Sequence, residues 1–333
     1  MRYKKFYIVI IFFLLTSMGG YAYMKNALVS ASEYPNKPIT MIVPYSAGGS
    51  IDMTARMIQK GMAKHFNQSV VILNKTGGAG TVGWNELAGS NPDGYTIGFT
   101  NIDITWQPLN DEGRYNYVTA LQPLAQTAAG SMVISVLTDQ PWQNINDLIE
   151  YTKEHPGEIK YGHPGIGTTR HILGEMFIKA TDVDIMQVPF SNGESEALAA
   201  FLGGHVKLLI SSPALIKEFV KEGKVRVLAV SDETRLSDPV FKNIPTLKEQ
   251  GVNVALTSCW DMVAIPKEVP KDVKIKLAKE LEIVINDPEF KEDMKEFGLT
   301  VKYLGPEDCT KKWITDHIQF GNVIKELGIA QRN

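Results

Sequence analysis

The chain has 333 residues, 44% of them hydrophobic and 21% charged, the composition of a folded globular protein with room for two domains and a sizeable core. A formal charge of −3 leaves no clustered basic footprint, which excludes nucleic acid as a partner. Two cysteines, Cys259 and Cys309, form no CxxC pair, which excludes the usual zinc and redox motifs.

The N-terminus reads as a secretory signal peptide over residues 1–31. Arg2, Lys4 and Lys5 precede an apolar run from Phe6 to Met18, too short to span a bilayer comfortably. Val29-Ser30-Ala31 offers small residues for cleavage, with Gly20-Tyr21-Ala22 as a second possibility and an uncleaved anchor as the alternative. No cysteine follows the run, so the residue a lipoprotein would acylate is missing. Cleavage after Ala31 removes Arg2, Lys4, Lys5 and Lys25 and no acid, moving the formal charge from −3 to −7. The expectation is a periplasmic or otherwise extracytoplasmic protein, where Cys259 and Cys309 could pair but are expected as buried free thiols.

Ile39 to Val43 reads as a strand, and Ile51, Ala55, Ile58, Met62 and Phe66 repeat at helical spacing. Val70 to Leu73 and Tyr95 to Phe99 are further strands, the second introduced by the turn Asn91-Pro92-Asp93-Gly94. This βαβ rhythm predicts a mostly parallel sheet covered by helices. It restarts with strands at Met132 to Val136, Ile159 to Tyr161, Ile185 to Val188, Val206 to Ile210 and Val225 to Val230. Helices are expected at 145–154, 168–180, 194–202 and 213–222, and the C-terminal part is mainly helical. Two successive α/β units predict two α/β lobes joined by crossing strands, Ala125 to Val136 going out and Ser258 to Pro266 returning. The expected boundaries are 34–129 plus 258–333 for one lobe and 130–257 for the other.

Pro44-Tyr45-Ser46-Ala47-Gly48-Gly49-Ser50-Ile51-Asp52 lies where a strand ends and an amphipathic helix begins. Glycines there bring backbone close to a ligand, and a helix N-terminus supplies unpaired N–H donors and partial positive charge. A plain βα turn capped by Ser50 or Asp52 fits the same residues. Gly162 to His171 repeats the design in the second unit, with Thr168 and Thr169 as hydroxyl donors. Two such cradles can close on an anion from opposite sides. His171 is open between a ligand contact and a buried histidine bonded to backbone. Pro189 to Glu194 and Thr100 to Asp103 are further polar strand ends, placed where open α/β sheets bind ligands.

Gly78-Ala79-Gly80-Thr81-Val82-Gly83 matches GxGxxG, with Asp103 at dinucleotide-fingerprint spacing. Lys75-Thr76-Gly77 separate it from its strand and Gly89 interrupts the following helix, so a glycine-rich wall of the cleft is the better reading. The six histidines show no metal-ligand spacing, and no GxSxG elbow is present. Glu194 and Glu196 read as favourable contacts with their own helix dipole, and Trp260-Asp261 as packing. No enzyme, metal or cofactor is expected.

Tyr34-Pro35-Asn36-Lys37-Pro38-Ile39, Pro44 to Asp52, Asn91 to Thr96 and Gly165 to His171 occur in that order, followed by Pro189-Phe190, Leu202-Gly203-Gly204 and Ile244-Pro245-Thr246-Leu247. Together they resemble the extracytoplasmic solute receptors of the tripartite tricarboxylate transporter, the Bug family, over essentially the whole chain from Tyr34. The resemblance implies a type II periplasmic-binding-protein fold whose lobes close on a small organic carboxylate for a membrane permease, as a monomer. It implies a carboxylate held by backbone N–H groups, hydroxyls and water at Ala47-Gly48-Gly49 and near Thr168-Thr169, without an arginine in the cleft. Arg170 could lend charge there, although a solvent-facing helix position is the expected one. Candidate ligand-binding residues are Tyr45, Ala47, Gly48, Gly49, Asp52, Thr100, Asn101, Gly167, Thr168, Thr169, His171, Ser191 and Asn192. Met262, Ser191 and Lys207 depart from the family pattern, so citrate or any other named substrate is not implied. A receptor that only signals fits the same residues, and a dinucleotide-binding enzyme would need the GxGxxG segment to work as such.

Overall fold

A computed structural model describes residues 34–66, 68–107, 114–190, 193–254 and 259–328. The chain divides into two units, Met1–Asn36 and Lys37–Asn333. The expected signal peptide therefore lies outside the described residues, as do Ser191, Asn192 and Ser258. All that follows concerns the second unit.

The period-3.6 stripe in the sequence becomes helix α1 (Ser50–Phe66), whose Ile51, Ala55, Ile58, Met62 and Phe66 are all buried. It connects β1 (Ile39–Val43) to β2 (Val70–Asn74), and α2 (Thr81–Ala88) leads on to β3 (Thr96–Asn101). Helix α2 starts at Thr81, within the GxGxxG segment, and ends at Gly89, as expected. A short helix, α3 (Tyr117–Ala120), feeds the long strand β4 (Leu121–Gly130), and β5 (Val133–Leu137) follows after two residues.

Helix α4 (Ile145–Glu154) starts at Asn144, whose side chain accepts the N–H groups of Asn146 and Asp147. Then come β6 (Lys160–His163), α5 (Thr169–Thr181), β7 (Met186–Pro189), α6 (Glu194–Leu202), β8 (Leu208–Ser211), α7 (Pro213–Lys221) and β9 (Val225–Val230). The chain ends with β10 (Cys259–Pro266), α8 (Lys271–Asn286), α9 (Pro288–Glu296), β11 (Val301–Leu304) and α10 (Pro306–Glu326).

These strands make two sheets, ordered β11-β4-β10-β3-β1-β2 and β7-β6-β8-β5-β9. Both are mixed, which corrects the expectation of a mostly parallel sheet. The β1–β2, β1–β3, β6–β7 and β6–β8 pairs are parallel, as crossover helices require. Strand β10 runs antiparallel to β3 and β4, and β5 runs antiparallel to β8 and β9. The reversal falls on the strands that carry the chain between sheets: β4 leads out to β5, and β10 brings it back beside β4. Trp260 of β10 is buried and donates from Nε1 to Asp316 of α10 at 2.6 Å, which is the packing role expected of it. Cys259 and Cys309 are free thiols.

Candidate functional site

The turn between β1 and α1 is fixed by a carboxylate from its own helix. Gly48 has a φ of +80°, a conformation that glycine adopts without strain, and its N–H donates to Asp52 Oδ2 at 2.9 Å. Arg56 and Asn74 donate to the same carboxylate at 2.9 Å. Burial pushes the Asp52 carboxyl up, but Arg56, Asn74 and the Gly48 N–H outweigh it and hold it below the usual carboxylate range. Asp52 thus staples the turn, and Asn74 ties the turn to β2 through the Tyr45 carbonyl at 3.0 Å.

The matching turn after β6 is built from φ-positive glycines, Gly165 at +134° and Gly167 at +81°. Thr168 caps α5 and donates to the Gly165 carbonyl at 2.8 Å. His171 is buried and its Nδ1 accepts the Gly167 N–H at 3.1 Å, so it shapes this turn from within. His163, at the end of β6, lies between the Gly165 carbonyl and Gln187, and burial holds its imidazole below the usual value.

Contacts between elements of the two sheets join these turns. Thr169 donates its N–H to Asp103 Oδ1 at 2.8 Å, and its hydroxyl bonds the same oxygen. On the first sheet's side, Tyr45 Oη lies 3.0 Å from both Asn101 Oδ1 and Asp103 Oδ2. Trp106 Nε1 and Gln107 Nε2 donate to the Gly167 carbonyl at 2.7 and 2.9 Å. Ser195 donates to the Ala47 carbonyl at 3.2 Å. Ser50 donates from N–H and hydroxyl to Glu194 at 3.1 and 3.0 Å. Glu194 in turn pairs with Arg170.

Two expectations are corrected here. Arg170 does not face solvent: it is 5% exposed in the first turn of α5, and an arginine does enter the space between the sheets. A cation at a helix N-terminus opposes the helix dipole, and Glu194 supplies the compensating charge. Glu194, 9% exposed, does more than face its own helix dipole, because its carboxylate also occupies the N-terminus of α1. Gly48 and Gly49, expected to meet a ligand carboxylate, have N–H groups engaged within the protein, by Asp52 and weakly by the Ser46 carbonyl at 3.4 Å, and Ser50, read as a possible helix cap, donates to Glu194. Thr100 points into the sheet, donating to the Met262 carbonyl at 3.2 Å.

The contact layer divides the space between the two turns. On one side lies a cavity of about 360 Å³ lined by Tyr45, Ser46, Gly77–Gly80, Pro164–Ile166 and Gly193. Gly78 and Gly80 of the GxGxxG segment thus form part of its wall, as the sequence reading preferred, and Gly83 does not line it. On the other side lies a small cavity of about 50 Å³ lined by Asn101, Ser131, Thr169, Arg170, Ser212 and Asp261, among others. Burial raises the Asp103 carboxyl above the usual range against the pull of Arg170. The Asp261 carboxyl is pushed up to about 7 by burial, with Glu194 and Asp103 adding to the shift and Arg170 opposing it. Sequence reasoning missed Arg170, Glu194, Asp103 and Asp261 as one group. The polar strand ends at 100–103 and 189–194 were the available signal. Among the described residues no group of three or more His, Cys, Asp or Glu could hold a metal ion.

Against known proteins, the model of the "Tripartite tricarboxylate transporter family receptor" matches residues 54–329. Protein BugT of Bordetella pertussis is 28% identical over 309 residues, covering 91% of this chain and 93% of that protein. The structure of the periplasmic binding protein BugD is 31% identical with a TM-score of 0.83, covering 89% of this chain and 99% of that one. The Rpa4515 protein of R. palustris, solved with adipate, is 27% identical with a TM-score of 0.82, covering 89% and 98%. The two-sheet architecture is that of these two-lobed periplasmic binding proteins.

Proposed function

The chain belongs to the tripartite tricarboxylate transporter receptor family, and from that membership we propose an exported solute-binding protein that closes on a small organic carboxylate and delivers it to a membrane permease. The observation that carries this reading is the pairing of two glycine-bearing βα turns, one from each sheet. Pro44–Ser46 and Pro164–Ile166 line one cavity of about 360 Å³. Adipate bound to a relative of the same fold supports the ligand class.

Opening requires the contact layer to part: Thr169 leaves Asp103, Trp106 and Gln107 leave the Gly167 carbonyl, Ser195 leaves Ala47 and Ser50 leaves Glu194. Each is a hydrogen bond that water replaces at modest net cost, so ligand contacts can set the balance. The lobes in this reading are 34–129 plus 258–333 and 130–257. The ligand's carboxylate sits among Tyr45, Ala47, Gly48, Gly49, Gly167, Thr168 and Thr169, with Asn101, Ser191 and Asn192 tuning specificity. Asp52, Thr100 and His171 hold the backbone that presents them. No NAD site is required.

Calorimetric titration of the purified protein with mono-, di- and tricarboxylates and with NAD tests this. At least one carboxylate is expected to bind, with a change in tryptophan fluorescence as the Trp106–Gly167 contact responds. At a hundredfold excess over Kd it should stabilise by about 2.7 kcal/mol. Substituting G48A or T168A should weaken that ligand at least tenfold. Binding of NAD alone, or two variants with unaltered affinity, would overturn the assignment.

A further inference from the structure

One buried cation lies apart from the two glycine-bearing turns. Lys217 sits one turn into α7 and is only 8% exposed. Lysine is seldom buried to that degree unless its charge is paired. Its Nζ lies 2.9 Å from Asp238 Oδ2 and donates to the Lys295 and Glu296 carbonyls at 3.1 and 2.9 Å. An ammonium has three N–H groups, so these acceptors fill its valence. Both carbonyls belong to the last turn of α9, where a helix leaves carbonyls unpaired and carries partial negative charge. Lys217 therefore caps a helix to which it does not belong.

The backbone is shaped for that approach. Gly298, just past α9, has a φ of +80°, and a Cβ there would lie 3.1 Å from Lys217 Cδ and 3.5 Å from Ala214 Cα. The start of α7 thus rests on the turn that ends α9. Pro213 and Gly298 also line the small inner cavity, and neither lines the larger one.

We propose that Lys217 is a positioning residue for closure: by capping α9 it holds the two lobes together outside the two turns, and so sets the lifetime of the closed form. The inference rests on the receptor reading above, in which Lys217 and Asp238 belong to the 130–257 lobe and α9 to the other. That division makes the contact reversible. Asp238 travels with Lys217 when the lobes part, so the ammonium keeps its counter-charge and gives up only the two carbonyls, which water then takes. Hydrogen bonds from a cation are stronger than neutral ones, and this pair acts alike on every ligand because it touches none.

Stopped-flow tryptophan fluorescence tests this on wild type, K217M and K217R, with succinate, glutarate, adipate, malate and citrate as probes. For each probe that wild type binds, K217M is expected to release it about tenfold faster with the association rate within threefold, and by the same factor from one probe to the next. K217R keeps the charge and should restore release to within threefold of wild type. Should K217M fail to fold, K217M/D238N removes the carboxylate left bare and is expected to show the same faster release. Unchanged release, a loss confined to association, factors that differ between probes, or K217R behaving as K217M overturns the inference and leaves the receptor reading standing. Binding of none of the five probes to wild type counts against the receptor reading itself, and the inference falls with it.

Discussion

Replacing Glu194 by alanine probes the weight of the closing contacts most directly. The side chain is 9% exposed, pairs with Arg170 at 5% exposure, and accepts both Ser50 donors at 3.1 and 3.0 Å. Burial alone would lower the Arg170 pKa, and Glu194 with Asp103 reverses that, so the buried guanidinium is compensated by these two carboxyl groups. Removing one member of a buried ion pair typically costs about 3–5 kcal/mol, because the partner is left as an uncompensated charge. Asp103 still acts on Arg170, and the inner cavity can admit water, so E194A is expected near the lower end. At roughly 2 °C per kcal/mol for a chain this long, a loss of about 3 kcal/mol lowers the midpoint by about 6 °C. Thermal and urea unfolding of the ligand-free protein, followed by circular dichroism at pH 7.5, measures it. The double variant R170M/E194M replaces both charges with apolar groups and should recover at least half of the loss. An E194A protein within 1 kcal/mol of wild type would refute the argument, as would a double variant less stable than E194A.

Three further outcomes follow from named contacts. Asp261 has a folded pKa of about 7, above the unfolded value of 3.8, so the folded state binds more protons between them and stability falls as pH rises from about 4 to 7. D261N lacks this loss and should gain about 2 kcal/mol on wild type across that window, half of the ~4 kcal/mol ceiling because the residue is only half-buried; parallel urea-stability profiles from pH 4 to 7.5 would contradict it. A Cβ at Gly61 would lie 2.4 Å from Val284 Cγ1 where α1 meets α8, so G61A should cost about 1–3 kcal/mol in urea unfolding, and G61A/V284A less than the separate costs summed. Burial pushes both thiols up to about 12, Cys259 on β10 and Cys309 on α10, so Ellman's reagent at pH 8 should label neither until urea unfolds the chain; rapid labelling of the native protein would count against that packing.

The parts of the fold that the sequence announces are those set by nearby residues. The stripe Ile51, Ala55, Ile58, Met62 and Phe66 becomes the buried face of α1, because a helix repeats every 3.6 residues whatever it packs on. The turns at Gly48 and Gly165–Gly167 were legible for a similar reason, since positive φ favours glycine and is confined to a few residues. Strand direction was less legible. A strand's own residues do not say whether its neighbour is parallel, and β10 finds its place only because β4 left the first sheet first.

The candidate site divides along the same line, and the division accounts for Arg170. Its local sequence, a polar helix start after a glycine-rich turn, fits exposure equally well. What buries it is Glu194, and what fixes Glu194 is Ser50, 144 residues earlier in the chain. Asp103 meets Thr169 across 66 residues in the same way. Such pairs exist only once two sheets face each other, so neither propensity nor spacing could expose them. In the proposed receptor they are also the contacts that part when the space between the turns opens. On that proposal, the residues hardest to read from sequence are those that set the balance between open and closed forms, and substitutions there should alter affinity through closure even where they touch no ligand.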